Sequence, residues 1–326
     1  MIRILDGPTI HALAPPADAI AWMRDAMLLV SGGETVMPLR QVHAYGEGVG
    51  AVGMMHGYAG GALRSAGVKL INFPPAETRQ GSSHRGLVIL YDGQGLIPVA
   101  LLDAGVVTAA RTAAATALAT DVLARSDASI LAVLGAGEQA RAHLAALPVV
   151  RNFRRIRLWA RDPRRAEALL RDWGAPDGVS VQVTDNVAAA TRDADVICTV
   201  TSAKDPILDA AHVSAGAHVN LVGSSSPAAR EVEGGFLRLG PVFVDSLASA
   251  AAQAAEFNSE RAAGLPIEPL VRGEIGAVLA GALPGRESDA EVTIYKSLGV
   301  IAQDIAFARR VFERAVAAGL GESFSL

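Results

Sequence analysis

Cysteine occurs once in this 326-residue chain, at Cys198, so no disulfide can form within it and a reducing compartment is expected. Lysine occurs only at Lys69, Lys204 and Lys296, and arginine supplies nearly all the positive charge. No Lys/Arg run makes a basic patch and the net charge is −4, which leaves no footprint for nucleic acid. No apolar run is long enough to cross a bilayer without a charge or a turn residue, so no membrane partner is expected. The opening stretch MIRILDGPTIHALAPP lacks a basic segment followed by an apolar one. No secretory signal is therefore expected, and the chain reads as cytoplasmic. Internal repeats and low-complexity linkers are missing as well.

What the chain has is core. The hydrophobic fraction is 51% and the mean hydropathy is +0.31, values of a well-packed globular protein with length for two domains. In PADAIAWMRDAMLLVS the spacing of Ala19, Ile20, Met23, Met27 and Leu28 predicts a helix. From Val36 to about Pro98 short β-type runs separated by Gly and Pro predict an antiparallel sheet, with DGQG (Asp92 to Gly95) as a hairpin turn. An Ala-rich helix is predicted from Thr108 to about Arg125. Beyond it, apolar strands alternate with helices from SILAVLGAGEQA to PVFVDS, the pattern of a Rossmann-type, doubly wound parallel sheet in an α/β fold. The tail VTIYKSLGVIAQDIAFARRVFERAVAAGL reads as one long helix that packs back on the first domain.

Two stretches carry chemistry. Gly135-Ala136-Gly137-Glu138-Gln139-Ala140 follows a strand and opens a helix in a βαβ context, where small residues let a pyrophosphate approach the helix N-terminus. After the next strand, the place of a ribose-binding acid falls at Ala160, with Arg161 beside it and Arg164 and Arg165 close by. An arginine without a clear acid favours the 2′-phosphate of NADPH, while a shift of one residue would make Asp162 the ribose reader and admit NADH. The second stretch is SAGVKLINFPP, where Lys69 interrupts a run of Val, Leu, Ile and Phe. A buried ammonium is costly unless paired. Lys69 either points to water from an edge strand or faces an anionic substrate. Arg40 and Arg111 also sit in apolar surroundings. Each alone fits a structural ion pair; with Lys69 they form a cationic set suited to a small carboxylate.

In order, MPLR, GVKLINFPP, TAARTAAATALAT, VLGAGEQA, VNLVGSSSP and VTIYKSLGVIAQDIA resemble the ornithine cyclodeaminase/mu-crystallin family over nearly the whole chain. The RTAA segment, and YKSLG with Asp304 following, are the more specific marks. The resemblance implies a homodimer whose first domain (1–113 with 300–326) is interrupted by a dinucleotide-binding domain (114–299). It implies that Arg40, Lys69 and Arg111 occupy the substrate-carboxylate and catalytic positions. It places Thr112 at a cofactor phosphate, Gly135, Gly137, Glu138 and Gln139 in the dinucleotide loop, and Lys296, Ser297 and Gly299 near the nicotinamide. One departure stands out. The family's cyclodeaminases carry Asp in G-x-D-x-P-G-K, and here Ser225 holds that place in GSSSP. A hydroxyl is neither a base nor a counter-ion for a second amine.

These observations together imply an NAD(P)H-dependent reductase of a small cyclic imino acid, giving proline or pipecolate, with Lys69 and Ser225 at the reacting imine. An ornithine or lysine cyclodeaminase, an alanine-type dehydrogenase and a non-catalytic crystallin-like protein are the alternatives. Met54, Met55, His56 and His84 are candidates for lining the substrate pocket.

Overall fold

The computed structural model describes residues 1–75 and 85–325 and divides into two compact units, Met1–Ala115 with Val300–Leu326, and Thr116–Gly299. The first unit opens with β1 (Ile2–Leu5), α1 (Gly7–Leu13) and α2 (Pro16–Ser31). Pro16 starts α2 at the position where a missing N–H costs nothing, and the buried face comprises Ala19, Ile20, Trp22, Met23, Ala26, Met27 and Val30. The strands β2 (Thr35–Val36), β3 (Gln41–Gly46), β4 (Gly50–Ala59), β5 (Ser65–Phe73), β6 (Arg85–Asp92) and β7 (Pro98–Asp103) follow. The β6–β7 hairpin turns at the DGQG stretch, where the Asp92 carboxylate accepts from the N–H groups of Gly95 and Ile97. Next, α3 (Ala104–Leu123) is an Ala/Thr helix. Its length and hydropathy would suffice to cross a membrane, but 78% of that window is buried within the protein, as in a core helix.

The second unit runs through β8 (Ile130–Leu134), α4 (Glu138–Val150), β9 (Arg155–Trp159), α5 (Pro163–Trp173), β10 (Ser180–Thr184), α6 (Val187–Thr191), β11 (Val196–Thr199) and β12 (His218–Leu221). It continues with β13 (Val242–Val244), α7 (Leu247–Gln253), α8 (Ala255–Ala262), β14 (Val271–Glu274), α9 (Ile275–Leu279) and β15 (Thr293–Lys296). All eight strands pair in parallel, in the order β10-β9-β8-β11-β12-β15-β13-β14. The central strands are buried on both faces, and β8 reads as an unbroken apolar run, Leu131–Leu134, while β9, β10 and β14 carry polar or partly exposed residues. The order reverses between β8 and β11, and a ligand of such a sheet binds at the carboxyl ends of the strands beside that reversal.

The tail departs from the single helix expected of it. Thr293–Lys296 is the fully buried strand β15, lying between β12 and β13, because Thr, Ile and Tyr suit a pleated interior. Gly299, at φ 77°, breaks the chain before α10 (Ile301–Ala318) begins. As anticipated, α10 returns to the first unit, where it packs against α2, β4, β5 and β6. Glycines allow the approach: a Cβ on Gly67 would lie 2.6 Å from the Ile305 side chain, and one on Gly57 2.7 Å from that of Ile301. Last comes β16 (Glu322–Phe324), antiparallel to β1 at one edge of the sheet. Among the described residues that sheet runs β16-β1-β7-β6-β5-β4-β2, with β3 also on β4. Its pairs are antiparallel except β1 with β7. Alternation sends Ser65, Gly67, Lys69 and Ile71 of β5 to the α10 side. The opposite face presents Met54, Val68, Leu70, Leu87 and Ile89, with Leu70 and Leu87 exposed.

Candidate active site

Lys69 is not on an edge strand. It sits mid-way along β5, hydrogen-bonded between β4 and β6, and only 2% of its surface is exposed. Its Nζ donates to both carboxylate oxygens of Asp304 on α10, at 2.8 and 2.7 Å. The same carboxylate accepts from Nε of Arg111 at 3.0 Å, and the Nη1 of Arg111 donates to Oε1 of Gln303 at 2.9 Å. Arg111 and Asp304 are buried as well. Two buried cations therefore share one buried anion, and half-buried Arg40 adds to the positive field at Lys69. Burial, helped by Arg111 and Arg40, brings the Lys69 ammonium down to about 7 against the upward pull of Asp304. Burial alone would raise the Asp304 carboxyl, but Arg111 and Lys69 outweigh it and hold it below its ordinary value. Thr112, next to Arg111, is buried. Met55 lies opposite Lys69 in the sheet register and is buried, whereas Met54 and His56 project from the other face. His84 lies outside the described residues.

In the second unit, the glycine turn closes β8. Gly135 has φ 134°, and a Cβ there would meet the Val200 carbonyl oxygen at 2.7 Å. Its N–H donates to the Trp159 carbonyl at the end of β9. Backbone strain and close approach both require glycine here. Gly137 differs: it has φ −100°, and a Cβ there would point into open space. Nothing among the described residues demands glycine at 137. It begins α4, whose N-terminus has no side-chain cap. A helix N-terminus with no side-chain cap behind a small residue, at the strand-order reversal, fits a dinucleotide pyrophosphate, with Ala136, Glu138 and Gln139 completing the turn.

After β9, Ala160 is buried and Arg161, Arg164 and Arg165 are exposed. The Asp162 carboxylate caps α5 by accepting from the Arg164 N–H at 3.1 Å, a local task that explains an acid at this place.

Lys296 is fully enclosed. Its Nζ donates to the Ser224 carbonyl at 2.7 Å and pairs with Glu256 at 3.2 Å, so it secures the GSSSP loop from behind. Ser297 is buried, with its N–H on the Leu221 carbonyl. The N–H groups of Leu298 and Gly299 donate to one oxygen of buried Asp245, at 2.8 and 2.5 Å. Ser225 is half-buried in the loop after β12. Among the buried acids, Asp304 is marked in the sequence by its place after YKSLG, whereas Asp245 and Glu231 leave no such mark, since their donors are backbone N–H groups or residues distant in the chain.

A model of the ornithine cyclodeaminase/mu-crystallin family matches residues 10–319. The chain is 31% identical over 307 residues to a Delta(1)-pyrroline-2-carboxylate reductase of Bacillus cereus, covering 94% of each chain. It is 32% identical over 282 residues to the ketimine reductase mu-crystallin of Mus musculus, covering 86% of each. The structure of the Thermococcus litoralis Delta(1)-pyrroline-2-carboxylate reductase, in complex with NADH and L-proline, superposes with a TM-score of 0.94. That match spans 99% of this chain and 100% of the other at 26% identity. A match running from residue 10 to residue 319, with relatives above 30% identity along most of their length, establishes that the chain belongs to the ornithine cyclodeaminase/mu-crystallin family.

Proposed function

We propose that this protein is a nicotinamide-dependent reductase of a cyclic imino acid, pyrroline-2-carboxylate or its six-membered homologue, yielding proline or pipecolate. The observation that carries the reading is the charge count around Asp304. Among the described residues Lys69 and Arg111 share the Asp304 carboxylate in a buried setting, and Arg40 adds to their field. That setting favours a substrate bearing a carboxylate, and Ser225 in place of Asp then favours the imino acid over a diamine.

Asp304 and Gln303 fix the guanidinium plane of Arg111 through Nε and Nη1, so that the cation is oriented before substrate arrives. With Arg40 it holds the substrate carboxylate. Lys69, poised at about 7, can keep a proton on the imine nitrogen at neutral pH, directly or through water. A bound carboxylate raises its proton affinity and strengthens that role. The nicotinamide cofactor, when bound, supplies hydride to the imine carbon. Gly135, Ala136, Gly137, Glu138 and Gln139 of the second unit would hold it. Exposed Arg161, backed by Arg164 and Arg165, favours NADPH, since the Asp162 carboxylate is engaged as a helix cap; NADH remains an admissible donor.

Ser225 stands where the cyclodeaminases of the family have Asp, which favours imine reduction over ammonia release. The apolar sheet face at Leu70 and Leu87 suits a second copy of the chain, and the single cysteine suits the cytoplasm. The test follows NADPH absorbance with purified protein and pyrroline-2-carboxylate, with ammonia release from ornithine measured in parallel. Ammonia release at an enzymatic rate without net NADPH oxidation would overturn the assignment. Turnover with pyruvate and ammonia alone would make the protein an amino-acid dehydrogenase.

A further inference from the structure

The loop that carries Ser225 begins at Gly223 and runs to Glu231, whose carbonyl accepts from the N–H groups of Ile207 and Leu208. Glu231 is fully buried, yet its carboxylate is saturated. Oε1 accepts from the Thr201 N–H at 2.8 Å and the Thr201 hydroxyl at 2.7 Å. Oε2 accepts from the Thr199 hydroxyl at 2.6 Å and the Gly223 N–H at 2.8 Å. One side chain thus ties the end of β11 to the start of the loop after β12. A Cβ on Gly223 would fall 2.4 Å from Oε1, so the backbone comes this close only as glycine. Between Thr199 and Thr201 lies Val200, whose carbonyl is the atom that Gly135 packs against. The same carboxylate therefore sets the wall on which the dinucleotide turn rests and the root of the loop bearing Ser225.

We infer that Glu231 is a positioning residue for both the nicotinamide dinucleotide and the Ser225 loop, acting through Thr201 and Gly223 without touching either ligand. The inference rests on the reductase reading. Its chemistry explains why an acid is needed. Four donors converge, two of them backbone N–H groups that cannot turn away. In Glu231→Gln one of the oxygens becomes an NH2 group. Whichever way the amide lies, that NH2 faces a backbone N–H, of Thr201 or of Gly223, donor against donor. Either the β11 end or the loop root must shift.

The experiment measures equilibrium NADPH and NADH binding by nucleotide fluorescence on purified full-length protein, with circular dichroism on the same samples. Folded Glu231→Gln should bind both nucleotides about tenfold more weakly and lose kcat with pyrroline-2-carboxylate. Thr199→Val keeps the shape and removes one hydroxyl donor; it should fold as wild type and weaken nucleotide binding roughly threefold, the scale of one hydrogen bond. Thr199→Val decides the matter if Glu231→Gln does not fold. A folded variant that loses only thermal stability, with wild-type nucleotide affinity and kcat, overturns the inference and leaves Glu231 a structural brace. Wild-type protein that binds neither nucleotide overturns the reductase reading itself, and the inference with it.

Discussion

Replacing Asp304 by Asn tests the buried charge cluster most directly. The substitution keeps the shape and removes the one negative charge that Lys69 meets at 2.7 and 2.8 Å and Arg111 at 3.0 Å. All three side chains are 5% exposed or less, so water cannot replace the lost partner. Breaking a buried pair from one side costs about 3–5 kcal/mol, a large part of the roughly 5–15 kcal/mol that holds a domain together. Asp304→Asn should therefore fold but denature at markedly lower urea concentration. The proton affinity of Lys69 must respond too. Asp304 is the group that pulls it upward, so Asn lowers it below about 7 and moves the basic limb of the kcat/KM profile to lower pH. In wild type the sign for stability follows from the lowered value. Below about 7 Lys69 is charged in both states and its burial cost is carried in full. Between about 7 and 10.5 only the unfolded chain keeps the proton, so this group makes stability rise with pH across that window. Wild-type urea resistance and an unmoved basic limb in Asp304→Asn would refute the cluster's role.

Arg111→Lys keeps the charge but not the planar fork, and should lower kcat/KM by about tenfold to a hundredfold, ~1.4–2.7 kcal/mol, in steady-state assays. Gly137→Ala fills only open space and should leave thermal stability within about 0.5 kcal/mol, while nucleotide titration detects a clear loss of affinity. Gly135→Ala, strained by φ 134° and by the Val200 carbonyl, should destabilise the fold as well. Arg161→Ala should raise KM for NADPH far more than for NADH; an equal rise would reduce Arg161 to a support of its turn.

The parallel sheet is legible because apolar strands such as Ile130–Leu134 recur at βα spacing around one glycine turn. The same rule fails at VTIYK, where a strongly periodic helix follows closely and hides a strand that only its β-branched residues betray. β1 and β16 leave little mark in the sequence because short strands acquire their meaning from pairing, here between Arg3 and Ser323 at opposite ends of the chain. Lys69 was suspect from its surroundings alone, since an ammonium in an apolar run calls for a partner. Its partner is 235 residues away, and nothing near either residue names the other. Lys296 illustrates the converse: the motif marked the residue, but only the fold reveals that its ammonium is enclosed against Ser224 and Glu256.

The scarcity of lysine, joined to where the three residues lie, gives the protein an unusual chemical transparency. Lys204 is exposed, while Lys69 and Lys296 are sealed from solvent. Amine-reactive reagents should mark the folded chain at Lys204 and spare the other two side chains, so a second labelled side chain reports that one of the sealed sites has opened. Isotopic dimethylation under conditions that admit the reagent to Lys69 would yield a side-chain spectrum simple enough to titrate that single amine by resonance.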